Sequence, residues 1–249
     1  MMRVLVSGLG GFMGREVAKL CLSGYQGASL IGGVDINGCQ DFPVPCVKGF
    51  SEVTEAADVV VDFSHHSATR ELLGFARGKK LPLVLATTGQ TREERALIEE
   101  ASREIPLFFA SNYSMGVALL CELAVKAAAL MPEAEIEIIE KHHNRKVDAP
   151  SGTALTLARS LQALRENAVI KCGRAGDGKR EKNEIGIQSV RLGNIVGEHE
   201  VLIGTANQTL SLKHEAHSRA LFAEGALAAA EFLMGRPAGL YDMKAMIKI

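Results

Sequence analysis

The sequence predicts an α/β protein in which a doubly wound parallel sheet is followed by a smaller α+β domain bearing an open mixed sheet. Three observations lead there. The first half alternates short β-branched runs with helical patterns, a glycine-rich turn joins the first such pair, and the second half changes to strands with alternating apolar and polar positions.

The apolar runs at 3–8 (RVLVSG), 29–35 (SLIGGVD), 58–64 (DVVVDFS), 81–89 (LPLVLATTG) and 106–112 (PLFFASN) predict strands. Helical patterns at 13–23, 67–79 and 92–103 separate most of them. Continuous apolar strands are buried on both faces, as in a parallel sheet with helices above and below. A helix at about 115–130 ends at Pro132, and then the period changes. AEIEIIE (134–140) sets Ile136 and Ile138 between acids, and QTLSLKH (208–214) alternates Leu210 and Leu212 with polar residues. With IGIQSVRLG (185–193) and HEVLIGTANQTLSL (199–212, turning near 204–207), these predict a sheet covered on one face only. Residues 173–184 are glycine-rich and charged, the signature of a mobile loop. A helix at about 217–234 carries a buried stripe suited to packing back on the first domain. The domains are therefore expected at 1–112, joined by a C-terminal stretch of about 217–249, and at 113–216.

Bulk composition narrows the function. With 28 basic against 29 acidic residues and a formal net charge of −1, the chain has no general attraction for nucleic acid or anionic membrane. The first apolar run, of about five residues, is too short for a signal-peptide core or a membrane span. The five cysteines, Cys21, Cys39, Cys46, Cys121 and Cys172, are odd in number and never in a CxxC arrangement, so they read as reduced thiols of a cytoplasmic protein.

The turn VSGLGGFMGRE (6–16) has glycines at 8, 10, 11 and 14, a GxxGxxG pattern with one addition. Small residues there let a pyrophosphate approach backbone N–H groups and the positive end of the following helix. Asp35 closes the second strand, where an acid bonds the ribose hydroxyls of an adenosine. Ile36 and Asn37 follow it with no adjacent arginine, which favours NADH over NADPH, although Arg15 or Lys48 has the length to reach a 2′-phosphate. ATTG (86–89) and ASNYS (110–114) close strands at the edge where ligands bind; they suit backbone contacts to a nicotinamide, and equally helix caps at Thr88 and Ser114.

The stretch EKHHNRKVDAPSGTAL (140–155) admits three readings. A metal site lacks further ligands, because His142 and His143 are adjacent at a strand end and point apart. A nucleic-acid patch lacks aromatic residues. In the third reading Pro150 suits a first helical turn, Ser151 a cap, and Gly152 and Thr153 offer N–H groups at a helix start, making an anion cradle. Lys146 and His143 add positive charge beside it, so a dicarboxylate is the natural guest, and His142 or Lys146 can deliver a proton to a centre reduced by hydride. A capped helix beside a solvated basic loop is the plain alternative. His65 and His66 follow a strand end, where they could line the cofactor site but read better as a surface pair at a helix start; Arg191, His199, His214, His217 and Arg219 carry less weight, and any of them can be structural.

Along its whole length the chain resembles the dihydrodipicolinate reductases. The resemblance is carried by GxxGxMGR (8–15), DFS (62–64), ATTG (86–89), ASNYSMG (110–116), EKHHNRKVDAPSGTA (140–154) and SVRLGNIVGEHEV (189–201). It implies a Rossmann-like domain for NADH or NADPH and a smaller domain that binds a cyclic dicarboxylate and builds a homotetramer through its open sheet. It implies no metal, nucleic acid or membrane. The reaction it implies is reduction of 4-hydroxy-tetrahydrodipicolinate to tetrahydrodipicolinate with loss of water, in the diaminopimelate route to lysine. It assigns His142 as proton donor or acceptor, Lys146 as a second donor, and His143, Gly152 and Thr153 as substrate contacts. Gly8, Leu9, Gly10, Gly11, Phe12, Met13, Asp35, Ala86, Thr87, Thr88, Ala110, Ser111, Asn112 and Tyr113 match the cofactor contacts. Phe12 and Ile36 stand where many members carry basic residues, His65 and His66 replace the usual residues after DFS, and Tyr113 stands where Phe is common. Two other readings share the fold: a related NAD(P)-dependent amino-acid dehydrogenase, and a non-catalytic NAD-sensing module with no need of His142 and Lys146.

Overall fold

The computed structural model describes residues 1–247, so the last two positions of the expected 217–249 stretch lie outside it. The described chain forms two compact units, Met1–Met115 together with 220–247, and Gly116–Arg219.

The first unit opens with β1 (Met2–Ser7), α1 (Phe12–Leu22), β2 (Ala28–Val34), β3 (Cys46–Val47), β4 (Val59–Asp62), α2 (Thr69–Lys79), β5 (Leu83–Leu85), α3 (Arg92–Ala101) and β6 (Pro106–Phe109). The second contains α4 (Met115–Leu130), β7 (Glu135–His142), α5 (Gly152–Gln162), β8 (Val169–Cys172), β9 (Glu184–Arg191), β10 (Gly197–Thr205) and β11 (Gln208–Ala216). The chain then returns to the first unit with α6 (Ala220–Leu233), β12 (Gly239–Tyr241) and α7 (Met243–Met246).

In the first unit seven parallel strands lie in the order β12-β6-β5-β4-β1-β2-β3. Val59, Val60 and Val61 of the central β4 are wholly buried, as a strand covered on both faces requires. The order reverses between β1 and β4, and the crevice beyond their carboxyl ends is where such sheets bind ligands. α6 packs against α1 and against β4, β5 and β6, so its alanine-rich stripe helps close one face of the sheet.

The second sheet has the order β11-β10-β7-β9-β8, with β7, β8 and β9 mutually parallel and β10 antiparallel to both its neighbours. One face is dry: Ile136, Ile138, Ile185, Ile187, Val201 and Ile203 pack on Leu120 and Ala124 of α4 and on Leu157 and Leu161 of α5. Each such isoleucine stabilises the fold by roughly 2 kcal/mol through burial. The other face carries ion pairs, Lys141 to Glu198 at 3.0 Å and Lys213 to Glu198 at 3.0 Å. The charged stretch at 173–184 is anchored on that face, where Arg180 donates to the carbonyl oxygens of Ile136 and Glu184 at 2.9 and 2.7 Å.

Three expectations are corrected. Cys39 and Cys46 form a disulfide with Cα atoms 5.7 Å apart, so the reading of five reduced thiols fails; pairing of β3 beside β2 brings the two ends of that loop together. Pro150 precedes the cap rather than entering the first turn of α5, whose cap is Ser151. Thr91, not Thr88, caps α3, accepting from the Glu94 N–H while the Glu94 carboxylate accepts from the Thr91 N–H.

Candidate active site

In the first unit the glycine turn lies between β1 and α1, at the reversal of strand order. Gly8 has φ +78°, and a Cβ there would stand 2.6 Å from the Phe63 carbonyl oxygen, so the turn needs glycine both for its conformation and for its approach to the end of β4. A Cβ on Gly14 would overlap the Gly8 carbonyl oxygen, so the third position of α1 must be glycine for the turn to close on the helix. Gly11 caps α1, the Leu9 side chain is buried, Phe12 is exposed and Met13 is half-buried. The Gly10 N–H donates to the Asp35 carboxylate at 2.9 Å, placing the acid over the turn; Asn37 N–H donates to it at 3.0 Å. Arg15 is engaged locally, its Nε donating to the Gly10 carbonyl and its guanidinium 3.0 Å from Asp41. Close-packed glycines, a helix start and an acid at the end of β2 together fit a dinucleotide.

Ala86, Thr87 and Thr88 follow β5, and Ala110, Ser111, Asn112 and Tyr113 follow β6. Thr88 and Ser111 are exposed, whereas Thr87 is buried and its hydroxyl donates to Asp62 at 2.6 Å. Asp62, almost wholly buried, also accepts from the Ser64 hydroxyl at 2.6 Å, and burial pushes its carboxyl above the usual range. Tyr113 is a core residue: its buried hydroxyl donates to the Leu85 and Phe108 carbonyl oxygens at 2.9 and 3.2 Å, and its own carbonyl packs against Gly225 of α6. His65 and His66 match the expected surface pair, His66 lying 3.1 Å from Glu94.

The second unit assembles a different cluster. β7 runs with Ile136, Ile138, Glu140 and His142 on its buried face, so the strand that anchors the core also carries a carboxylate and an imidazole inward at its end. Glu140 is fully buried. Its Oε2 lies 2.6 Å from His142 Nδ1, and both its oxygens accept from Arg191, at 2.9 and 2.7 Å. Burial opposes ionisation of Glu140, but hydrogen bonds from His142, Arg191 and Ser189 outweigh it and hold the carboxyl far below the usual range.

The N-terminus of α5 begins beside this cluster. The Ser151 N–H donates to Glu140 Oε1 at 3.1 Å, and the Ser151 hydroxyl accepts from the Ala154 N–H at 3.2 Å and lies 3.0 Å from His199 Nε2. The first helical backbone bond is donated by Leu155 to the Ser151 carbonyl, so the N–H groups of Gly152 and Thr153 lie ahead of the ladder. A Cβ on Gly152 would meet nothing within 4 Å, so this helix start opens on unfilled space. Burial holds the His199 imidazole down at about 4, and desolvation with the nearby Arg145, Arg219 and Lys146 lowers His143. Lys146 is 2.7 Å from Asp148, whose carboxyl it holds below the usual range.

His142, His143, Lys146, Gly152 and Thr153 thus share one unit, and the nucleotide-site residues share the other. Sequence reasoning missed Glu140, and it gave Arg191 and His199 little weight although both bond directly into this cluster. The period of β7 held a signal: an acid two residues beyond Ile138 and two before His142 is on the core face. Among the described residues no cluster of three or more His, Cys, Asp or Glu side chains is arranged to hold a metal ion. Nor is any described helix long and apolar enough to cross a membrane.

The family model described as "Dihydrodipicolinate reductase, N-terminus" matches residues 2–113, and that described as "Dihydrodipicolinate reductase, C-terminus" matches residues 116–247. The chain belongs to the dihydrodipicolinate reductase family. A 4-hydroxy-tetrahydrodipicolinate reductase from Caldanaerobacter subterraneus subsp. tengcongensis is 45% identical over 251 residues, covering 100% of this chain and 99% of that one. One from Clostridium novyi is 42% identical over 250 residues, with the same coverage of 100% and 99%. Among solved structures, a dipicolinate-bound dihydrodipicolinate reductase from Paenisporosarcina sp. TG-14 superposes with a TM-score of 0.82 at 26% identity, covering 100% of both chains. A C. glutamicum DAP dehydrogenase in complex with DAP gives a TM-score of 0.58 at 14% identity, covering 97% of this chain and 92% of that one, a likeness of fold alone. The N-terminal domain of the dihydrodipicolinate reductase family is a nucleotide-binding Rossmann domain, which implies NAD(P)H.

Proposed function

We propose that this chain reduces 4-hydroxy-tetrahydrodipicolinate to tetrahydrodipicolinate with NAD(P)H and loss of water, a step of the diaminopimelate route to lysine. One observation carries the reading: a carboxylate-anchored imidazole, His142, stands beside the open N-terminus of α5, and Glu140 bonds to both. That is an acid next to an anion cradle.

Gly152 and Thr153 receive a substrate carboxylate at the head of α5, where N–H groups and the helix dipole favour negative charge. His143 and Lys146 line the same end and hold the anionic ring by charge. Bound NAD(P)H supplies hydride to the ring. Loss of the hydroxyl as water takes one proton onto the leaving oxygen and releases one from the adjacent carbon, and hydride addition then leaves an electron-rich neighbouring ring position that takes up one proton; His142 and Lys146 are the two groups assigned to these transfers. Asp148 keeps the Lys146 ammonium in place at 2.7 Å. In the first unit the glycine turn takes the pyrophosphate and Asp35 the ribose hydroxyls, while the strand ends at 86–88 and 110–113 meet the nicotinamide through backbone groups.

NADH is the favoured cofactor. The Asp35 carboxylate repels a 2′-phosphate, Ile36 beside it is exposed and uncharged, and Arg15 is already paired with Asp41. The same reading includes a homotetramer formed through the helix-free face of the second sheet and a cytoplasmic location; light scattering on the eluting protein tests the assembly. The activity is tested by following oxidation of NADH when the condensation product of pyruvate and aspartate semialdehyde is supplied. Steady turnover supports the proposal, and no turnover with either NADH or NADPH overturns it.

A further inference from the structure

We propose that Glu140 is a positioning residue for this reduction: clamped by Arg191, its carboxylate holds the His142 imidazole with Nδ1 protonated and presents Nε2 as the atom that exchanges a proton with the dicarboxylate. The inference rests on the function proposed above and goes beyond it by assigning the nitrogen that acts and the group that selects it.

The first support is placement. Glu140 sits in the central strand of a five-stranded sheet, opposite Ser189 on β9 and His199 on β10, on the face that Ile136 and Ile138 fill with apolar atoms. Burying a carboxylate there stabilises the fold no better than an apolar residue would. The second is hydrogen-bond logic. Arg191 binds both carboxylate oxygens, so Glu140 remains ionised and can only accept. The 2.6 Å contact is then donated by His142 Nδ1, and in the neutral ring Nε2 is left with its lone pair.

The third support lies on the other edge of the imidazole. Gly197 directly precedes Glu198, the partner of Lys141 across β7 and β10, and a Cβ on Gly197 would stand 3.0 Å from His142 Nε2. The backbone is bare on the side where the second nitrogen emerges. Finally, Glu140 Oε1 accepts the Ser151 N–H at 3.1 Å, so one carboxylate fixes both the proton-transfer group and the start of the anion-binding helix. Acid and cradle are held to a common rigid group, the arrangement that positioned proton transfer requires.

The test compares Glu140→Gln, His142→Gln and the double variant in the full-length protein, with histidine ¹⁵N NMR as a second readout. Glu140→Gln is expected to lower kcat by about 100-fold while the substrate KM and the NADH Kd change by no more than about threefold. The double variant is expected to turn over no more slowly than His142→Gln alone, because Glu140 acts through His142; additive losses would overturn the proposal. In the wild-type protein the neutral His142 ring is expected to carry its proton on Nδ1, a measurement that needs no variant to fold. A ring protonated on Nε2 would overturn the proposal directly. If His142→Gln kept wild-type turnover, the proton-donor assignment and this inference would both fall. If it lost turnover while Glu140→Gln did not, this inference alone would fall.

Discussion

Acid should weaken the second unit through His199 in particular. This imidazole is buried at 4% exposure, with Nε2 against the Ser151 hydroxyl and Nδ1 lacking a hydrogen-bond partner. Burial holds its pKa at about 4, against 6.5 for an unperturbed histidine. The folded value is depressed, so above pH 6.5 both folded and unfolded chains carry a neutral ring and this group gives no slope. As pH falls from 6.5 toward 4 the unfolded chain takes a proton that the folded one refuses, and stability drops. The full difference is worth about 3 kcal/mol, of which about 2 kcal/mol is lost by pH 5. His199→Gln keeps an amide for Ser151 but cannot titrate. Urea unfolding of both proteins at pH values between 7 and 4.5 should give a wild-type stability that falls more steeply by that amount. His143 and His214, also lowered by burial, act alike in both proteins and cancel in the difference. Parallel profiles for the two proteins would refute the reasoning.

Other outcomes follow from individual contacts. Gly8→Ala forces a Cβ to 2.6 Å from the Phe63 carbonyl oxygen at φ +78°, and fluorescence titration should find NADH binding weakened by at least about tenfold; unchanged affinity would remove the glycine turn from the cofactor site. Ser151→Ala deletes the cap that accepts from Ala154 N–H at 3.2 Å and should cost about 1 kcal/mol in urea unfolding from this bond alone, with dicarboxylate affinity also reduced. Alkylation in denaturant without reductant should label Cys21, Cys121 and Cys172 and spare Cys39 and Cys46, as read by mass spectrometry; labelling of all five would contradict the disulfide.

Much of the architecture was legible because its strands are long and strongly patterned. The first three residues of β4, Val59, Val60 and Val61, are an unbroken apolar run, and Glu135–His142 alternates cleanly. What escaped were short pieces held by pairing rather than by pattern: Cys46–Val47, Val169–Cys172, Gly239–Tyr241 and the single turn Met243–Met246. The disulfide escaped for the same cause. Spacing rules look for CxxC, whereas Cys39 and Cys46 meet because β3 lies beside β2.

The site divides in the same way. Gly8 to Gly14, Asp35 and the stretch from His142 to Thr153 are contiguous or at fixed offsets, so their chemistry can be read along the chain. Glu140 was disguised by lying in a run that seemed to set isoleucines between acids, when its parity puts it with the isoleucines. Arg191 and His199 reach the cluster only through strand register, His142 opposite Arg191 and Glu140 opposite His199, and a single sequence carries no register between strands so far apart.

The most direct test of the central claim is transfer of label from deuterated cofactor. With NADH deuterated at the transferring carbon and the hydroxylated cyclic dicarboxylate as substrate, the account predicts tetrahydrodipicolinate carrying one deuterium on a ring carbon, formed in step with NADH consumed. Consumption of NADH with no deuterium in that product, or a product that keeps the hydroxyl, would contradict it.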